Sequence, residues 1–411
     1  MLGFMSVDQA KASVRRLEAI CTLRASVKSM TDLTICYFTL GDVQTAYKLA
    51  QMAFEKDSND LTTVMNLGLC MKDLGDDVGA YRTFKLAYEE LDSGNKYVAL
   101  AYAESLLLKG DWLKAWPIYD WCRETKEEAA VNIGIPERVN EWDGKSEVEL
   151  LLVIDEGGFG DSLAYSRWLP ELTKRNIEWK YASFDLLTGI YGRASWCGSN
   201  IVLSQERADC SHWTTTYSLP SLLLATPLSV PLHLDPLKPS KKHADKYKAT
   251  RNRLAIVGLC WMGNEERHGG RKIYSMSEGQ AMRLVCRTDR FVHWVNLNES
   301  HRLPEPVLNP QINDFEDLAG LMSNLDYIVS VNTAPALLAY AMGLREKLAV
   351  VLPSNMDWKH GNGPGSTFLE GATIIRNGQG GGIERAIDKT VDHIIEKFGK
   401  RSEKSMIALV D

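Results

Sequence analysis

Three stretches of this 411-residue sequence combine residue types and spacings that could do chemistry. The first, EGGFGD, joins the apolar run VELLLVID (148–155) to SLAYSRWLPELTKR (162–175). A glycine turn between strand and helix lets backbone approach a ligand, and the free N–H groups of the helix start favour an anion or a carboxylate. Gly157, Gly158 and Gly160 supply the turn and Asp161 follows it. That carboxylate serves either a ligand or the helix terminus itself. The second stretch, GNEERHGGRK, follows LAIVGLCWMG and places Arg267, Arg271 and Lys272, with His268 among them, on one loop. Such a loop either grips an anion or is simply solvated. Trp261, beside it, either walls a pocket or belongs to the core. The third stretch is VNTAPALLAYAMG, where a helix opening at Thr333–Ala334 presents free N–H groups suited to a diphosphate. Pro335 fits a first turn, where its missing donor costs little.

These residues need elements to hold them. VELLLVID reads as a buried parallel strand and SLAYSRWLPELTKR as one continuous amphipathic helix, with further strands and helices to about residue 237. KPSKKHADKYKATRNR (238–253) reads as a linker or exposed helix. A second series follows: LAIVGLCWMG, FVHWVNL (291–297), the helix DFEDLAGLMSNL (314–325), DYIVSVN (326–332), a helix from about 334, and KLAVVLP (347–353). This alternation predicts two Rossmann-like halves, 136–240 and 250–400, with a ligand at the carboxyl ends of the strands.

The first 130 residues follow another rule. Gly-Asp recurs at Gly41-Asp42, Gly75-Asp76 and Gly110-Asp111, spacings of 34 and 35. Five residues after each glycine comes an alanine followed by an aromatic: Ala46-Tyr47, Ala80-Tyr81, Ala115-Trp116. Twelve after each sits a small residue, Ala53, Ala87 or Cys122. Helix, tight turn and second helix repeat, with small residues permitting close approach. The period and landmarks resemble the tetratricopeptide repeat over about 27–130, with Leu67-Gly68 and Phe84 in the best-matched unit and Ala50 where a large aromatic is usual. A helix over 7–24 caps the stack. The resemblance implies a solenoid over 1–130 that binds a peptide or partner.

Composition bounds the alternatives. The chain is 45% hydrophobic and 24% charged, an ordinary globular balance. Residues 1–145 carry 17 basic against 22 acidic residues and residues 146–411 carry 30 against 31, so neither part is a polyanion-binding surface. Nucleic acid is demoted as a partner. Eight dispersed cysteines form no Cys-x-x-Cys pair, which argues against a zinc module and for a reducing, cytoplasmic setting. The opening MLGFMSVDQAKASVRR lacks a long apolar core, so no secretory signal is expected. The uncharged stretches 212–234 and 327–344 are broken by prolines and polar residues, so neither is expected to span a membrane.

Four segments in order carry a wider resemblance: EWDG with DEGGFGDSLAYSRWLPEL; YSLPSLLLATPLSVPLHLDP; GLCWMGNEERHGGRKIYSM; and DFEDLAGLMSNLDYIVSVNTAPALLAYAMG followed by VVLPSNMDWKHG. Over about 136–380 the sequence resembles the GT-B glycosyltransferase domain that follows tetratricopeptide repeats in many bacterial proteins. That domain is related to the lipopolysaccharide heptosyltransferases and, more distantly, to the O-linked N-acetylglucosamine transferases. The fold class implied is α+α/β, a helical solenoid followed by two Rossmann-like halves, the first on the acceptor side and the second on the donor side. The activity implied is transfer of a sugar from a nucleotide-diphosphate donor to an acceptor hydroxyl, with no permanently bound cofactor or metal. Asp161 matches the aspartate that acts as general base. Gly258, Trp261, Arg271, Lys272, Asn332, Thr333 and Ala334 fall at the donor positions. The implied partners are the nucleotide sugar, a protein or glycan acceptor, and a protein on the repeat surface. Two residues depart from the family pattern: Asn332 replaces an aspartate and Leu337 a histidine. A catalytically inactive GT-B-like protein, acting as a binding or assembly module, is the alternative these departures admit. Modification of nucleic-acid bases is a third reading, which the charge balance disfavours.

Overall fold

The computed structural model describes residues 5–123, 125–135, 139–202, 209–232, 235–248, 254–263, 275–353, 357–361, 363–377 and 383–407. Its amino-terminal part is a run of paired helices: Val7–Leu23, Val27–Thr39, Val43–Lys56, Leu61–Leu74, Asp77–Leu86, Lys96–Lys109 and Trp112–Cys122. The turns at Gly41, Gly75 and Gly110 share one construction. Each glycine has positive φ (86°, 80° and 94°), the left-handed conformation a side chain would disfavour. Each glycine N–H bonds the carbonyl three residues back, and the following Asp N–H bonds the one five back, which ends the helix in a Schellman motif. Asp42 and Asp76 then cap the next helix by accepting from the Thr45 and Gly79 N–H groups. At the first two turns glycine and aspartate therefore stop one helix and start the next within two residues; Asp111 at the third makes no such cap bond and pairs with Lys109.

Two parallel sheets follow. The first comprises β1 (Asn140–Glu141), β2 (Leu151–Ile154), β3 (Trp179–Ala182) and β4 (His212–Thr215), in spatial order β1-β4-β2-β3. Leu151 stands opposite both Trp179 and His212, so β2 is central, and all four of its residues are buried. The second comprises β5 (Ala255–Cys260), β6 (Val292–Asn296), β7 (Tyr327–Val331), β8 (Leu348–Leu352) and β9 (Thr373–Arg376), in order β6-β5-β7-β8-β9. The order reverses between β5 and β7, a switch point at which open parallel sheets leave a crevice. The helix Glu384–Ile407 closes the far side of this sheet.

The run 162–175 is not one helix. It divides into Phe159–Tyr165, a 3-10 turn Ser166–Trp168 and Leu169–Lys174. Pro170 has no N–H to return to the carbonyl of Ser166, so the ladder loses a rung and the chain tightens there. Lys241–Lys246 forms a short helix capped by Ser240. No helix among the described residues is long and apolar enough to cross a membrane.

The helical pairs and the sheets share one core. Trp112 and Trp116 pack edge-on against Trp358 from the loop after β8, and the Trp116 indole N–H donates to the Ala225 carbonyl at 2.7 Å. Arg123, 7% exposed, donates to Asp120 and Ser218 and lies 3.7 Å from Glu156, one residue before the glycine turn.

Candidate functional site

The carboxyl ends of strands from both sheets converge on one cleft of about 820 Å³. The glycine turn after β2 supplies Gly157, Gly158, Gly160 and Asp161, the segment after β4 supplies Tyr217, and β7 leads into Asn332, Thr333 and Ala334. The loops after β6 and β8 add Asn298 to His301 and Asp357, Lys359 and His360. Five connections that are far apart in sequence thus line one space.

Close approach of the two halves depends on Gly160. A Cβ there would lie 3.3 Å from Ala334 Cα, 3.4 Å from Ala334 N and 3.2 Å from Leu337 Cδ1. The start of the helix Ala334–Ala341 therefore abuts the glycine turn. Thr333 is its N-cap without a side-chain cap bond, and Pro335 occupies its first turn. On the other side, a Cβ at Gly263 would lie 2.8 Å from Thr333 Cγ2, so the loop after β5 presses on the same terminus.

Asp161 is held from two directions. Its Oδ2 accepts the Gly158 N–H at 3.2 Å, the turn-stabilising bond open to an acid at this position. Its Oδ1 lies 3.1 Å from Lys359 Nζ, and the same ammonium reaches Asp357 Oδ2 at 3.0 Å. Burial alone would lower the Lys359 pKa, but Asp357 and Asp161 hold it well above its ordinary value. Burial and then the Asp161 charge raise the Tyr217 phenol, which stays neutral. The cleft therefore presents an ammonium bridging two carboxylates, one of them on the glycine turn.

No family model matches the chain, and no curated protein matches it. Solved structures similar to it include a mutant of the Thermobaculum terrenum O-GlcNAc transferase, at 12% identity and a TM-score of 0.35, covering 97% of this chain and 89% of that one. Another is the bacterial iron-containing dodecameric glycosyltransferase TibC from enterotoxigenic E. coli, at 9% identity and a TM-score of 0.40, covering 66% and 78%. TibC as a heptosyltransferase in complex with ADP-D-beta-D-heptose gives 9%, 0.38, 64% and 78%. At such scores the similarity decides nothing about the chemistry of this cleft.

Two of the expected donor residues stand elsewhere. Gly258 is inside β5, where a Cβ would meet Leu325 Cδ1 at 2.6 Å and Leu297 Cδ1 at 2.8 Å; the glycine is there for core packing. Trp261 is buried in the core of the second half, its ring edge-on to His301 at 6.1 Å, so it backs the cleft wall at one remove. Arg267, His268, Arg271 and Lys272 lie outside the described residues. The residues that spacing did not single out are Asp357, Lys359, His360 and Tyr217. The signal was present in Asp-Trp-Lys-His-Gly soon after a buried strand, where opposite charges flank a tryptophan.

A metal has a poor claim here. His243, Asp314 and Asp317 offer atoms close enough to share an ion, but Lys246 Nζ stands 2.7 Å from Asp317 Oδ1 and already supplies positive charge.

Two buried groups, His360 on the cleft wall and Asp155 behind it, titrate in opposite senses. Burial pushes the His360 imidazole down to about 4. Its Nδ1 lies 2.9 Å from Ser366 Oγ. A depressed folded value means that its contribution is present above the unfolded value and lost as pH falls through about 4. Asp155 is the reverse: burial lifts it to about 6, against hydrogen bonds from Tyr181, the Phe184 N–H and Ser162. Its contribution is present below the ordinary carboxylate range and lost as pH rises through about 6. The two offset each other in mild acid, so removing one exposes the other. His360→Phe is expected to gain about 2–3 kcal/mol relative to the native chain between about pH 7 and 4.5. Urea unfolding at both pH values measures it; an unchanged difference would show that His360 titrates as a solvated group.

Proposed function

We propose that the chain is a GT-B-type glycosyltransferase preceded by tetratricopeptide-type repeats, moving a sugar from a nucleotide-diphosphate donor to an acceptor hydroxyl. The repeats take 1–130, the acceptor-side half 136–240 and the donor-side half 250–400. One observation carries the reading: Asp161 and the start of the helix Ala334–Ala341 face a single cleft between two parallel sheets. Its volume of about 820 Å³ falls in the range of small-molecule sites. Asp161 takes the proton of the acceptor hydroxyl as its oxygen attacks the anomeric carbon, while the bond from that carbon to the donor phosphate oxygen breaks. The departing nucleoside diphosphate carries the negative charge. The Ala334 N–H, the dipole of its helix and the Lys359 ammonium offset that charge in a site narrowed by the contact at Gly160. Arg271 and Lys272 join this role on the reading from sequence.

A second reading has its own support. Leu337 lies against Gly160 and fills with hydrocarbon the place of a family histidine, and Asn332 is uncharged. A protein that binds a nucleotide sugar without turning it over fits those two residues. A thermal-shift screen of the common nucleotide sugars, followed by an assay of donor hydrolysis and transfer, separates the two. The enzyme reading expects one donor to raise Tm by a few degrees at saturating ligand and then to be consumed. Binding without consumption selects the non-catalytic reading, and no binding by any donor sinks both.

A further inference from the structure

Trp358 stands between two residues that line the cleft, yet its own side chain runs the other way. Asp357 and Lys359 face the cleft, whereas Trp358 is 4% exposed and lines a small cavity together with Ala80, Phe84, Ala101 and Leu108 of the helical region. Its ring centroid lies 5.4 Å from that of Trp112, 5.8 Å from Trp116 and 6.0 Å from Tyr119, all edge-on, with Phe368 at 5.3 Å closing the socket. The residues Trp358–His360 form a single 3-10 turn. One turn is too short to hold its own place, because its two backbone hydrogen bonds, His360 N–H to Asp357 and Gly361 N–H to Trp358, cannot offset the ordering of its backbone. Its position comes from anchors outside it. One is the Phe368 N–H, which donates to the Lys359 carbonyl at 3.1 Å. Another is Arg167, a buried guanidinium that donates to the Phe368 carbonyl at 2.9 Å. The indole is the largest, since a tryptophan buries on the order of 200 Å² of surface.

We propose that Trp358 is a positioning residue. The aromatic socket on the helix Trp112–Cys122 holds the 357–360 turn where Lys359 Nζ meets Asp161, so the helical region is a structural part of the cleft and not an appended module. The inference rests on the cleft being the ligand site proposed above. A ligand-independent readout keeps the two separable.

The test uses the full chain with Trp358→Ala and Trp358→Phe. Acetylation of Lys359 by limiting acetic anhydride, followed by mass spectrometry, is compared with that of Lys174, whose side chain is 60% exposed. In the alanine variant the turn is released, and Lys359 labelling is expected to rise about tenfold against the native chain, through local opening, while Lys174 is unchanged. Phenylalanine refills the socket and is expected to restore protection to within about twofold. Affinity for ADP, GDP, UDP or CDP, whichever the native chain binds, is expected to fall about tenfold with alanine and to return with phenylalanine. A folded alanine variant whose Lys359 stays as protected as the native residue overturns the proposal. If that variant does not fold, Tyr119→Leu, at the socket rim, carries the same expectation with a rise of about threefold, and unchanged labelling overturns it. A native chain that binds none of the four nucleotides defeats the proposed function, while the labelling still decides the role of Trp358.

Discussion

Asp161→Asn is expected to lower the rate of sugar transfer by about 10²- to 10⁴-fold, the usual contribution of a positioned general base, with donor affinity kept. The amide retains the size and one acceptor oxygen, but it cannot take a proton usefully. In the native chain Oδ2 accepts the Gly158 N–H while Oδ1 meets Lys359. An asparagine oxygen can satisfy one of these and not both, so a stability loss of about 1–2 kcal/mol accompanies the change. Calorimetry with the donor and an initial-rate assay at saturation separate the effects, because a lost base lowers kcat and a distorted turn weakens binding as well. Equal rates in the two proteins would return Asp161 to the plain task of stabilising its turn.

Lys359→Met is expected to destabilise the chain by about 2–4 kcal/mol near neutral pH, somewhat below the loss for breaking a fully buried pair because its partners keep some water. Lys359 is 13% exposed, against 23% for Asp357 and 21% for Asp161. In the native chain burial would raise the Asp357 carboxyl, but the neighbouring Lys359 ammonium, joined in acid by the His360 imidazolium, holds it below the ordinary range. Its contribution is then present above its unfolded value and lost as pH falls through the depressed one. Methionine removes the compensation, so burial lifts Asp357 and the sign reverses: the variant is least stable at neutral pH and recovers in acid as the carboxyl protonates. Urea unfolding across about pH 4 to 8 measures the trend, and Asp357→Asn added to Lys359→Met should restore most of the loss near neutrality. A small loss that does not vary with pH would mean that the three charges behave as a solvated surface cluster.

Residue type and spacing alone determined most of the local elements, the break within 162–175 excepted. A strand buried on both faces needs an unbroken apolar run, so Leu151–Ile154, Tyr327–Val331 and Leu348–Leu352 announce themselves. A helix that ends on Gly and restarts on Asp uses conformational and capping preferences that act within a few residues, so the turns at Gly41, Gly75 and Gly110 are equally plain. The glycine turn before Asp161 and the helix opening at Ala334 were legible for the same reason: both are strand ends, and strand ends in parallel sheets face the ligand side. What no local pattern could decide is which loops meet. Lys359 and Asp161 are 198 residues apart, and their ion pair exists because the loop after β8 and the turn after β2 share a cleft. Trp358 faces the helical region and its two neighbours face the cleft because a socket of three aromatic side chains from the helix Trp112–Cys122 waits there. Gly258 looked like a ligand glycine until the sheet placed Leu297 and Leu325 against it. Short-range preferences act through bonded geometry and are written in order along the chain, whereas charge pairing and packing act through space, and only the folded arrangement brings their partners together.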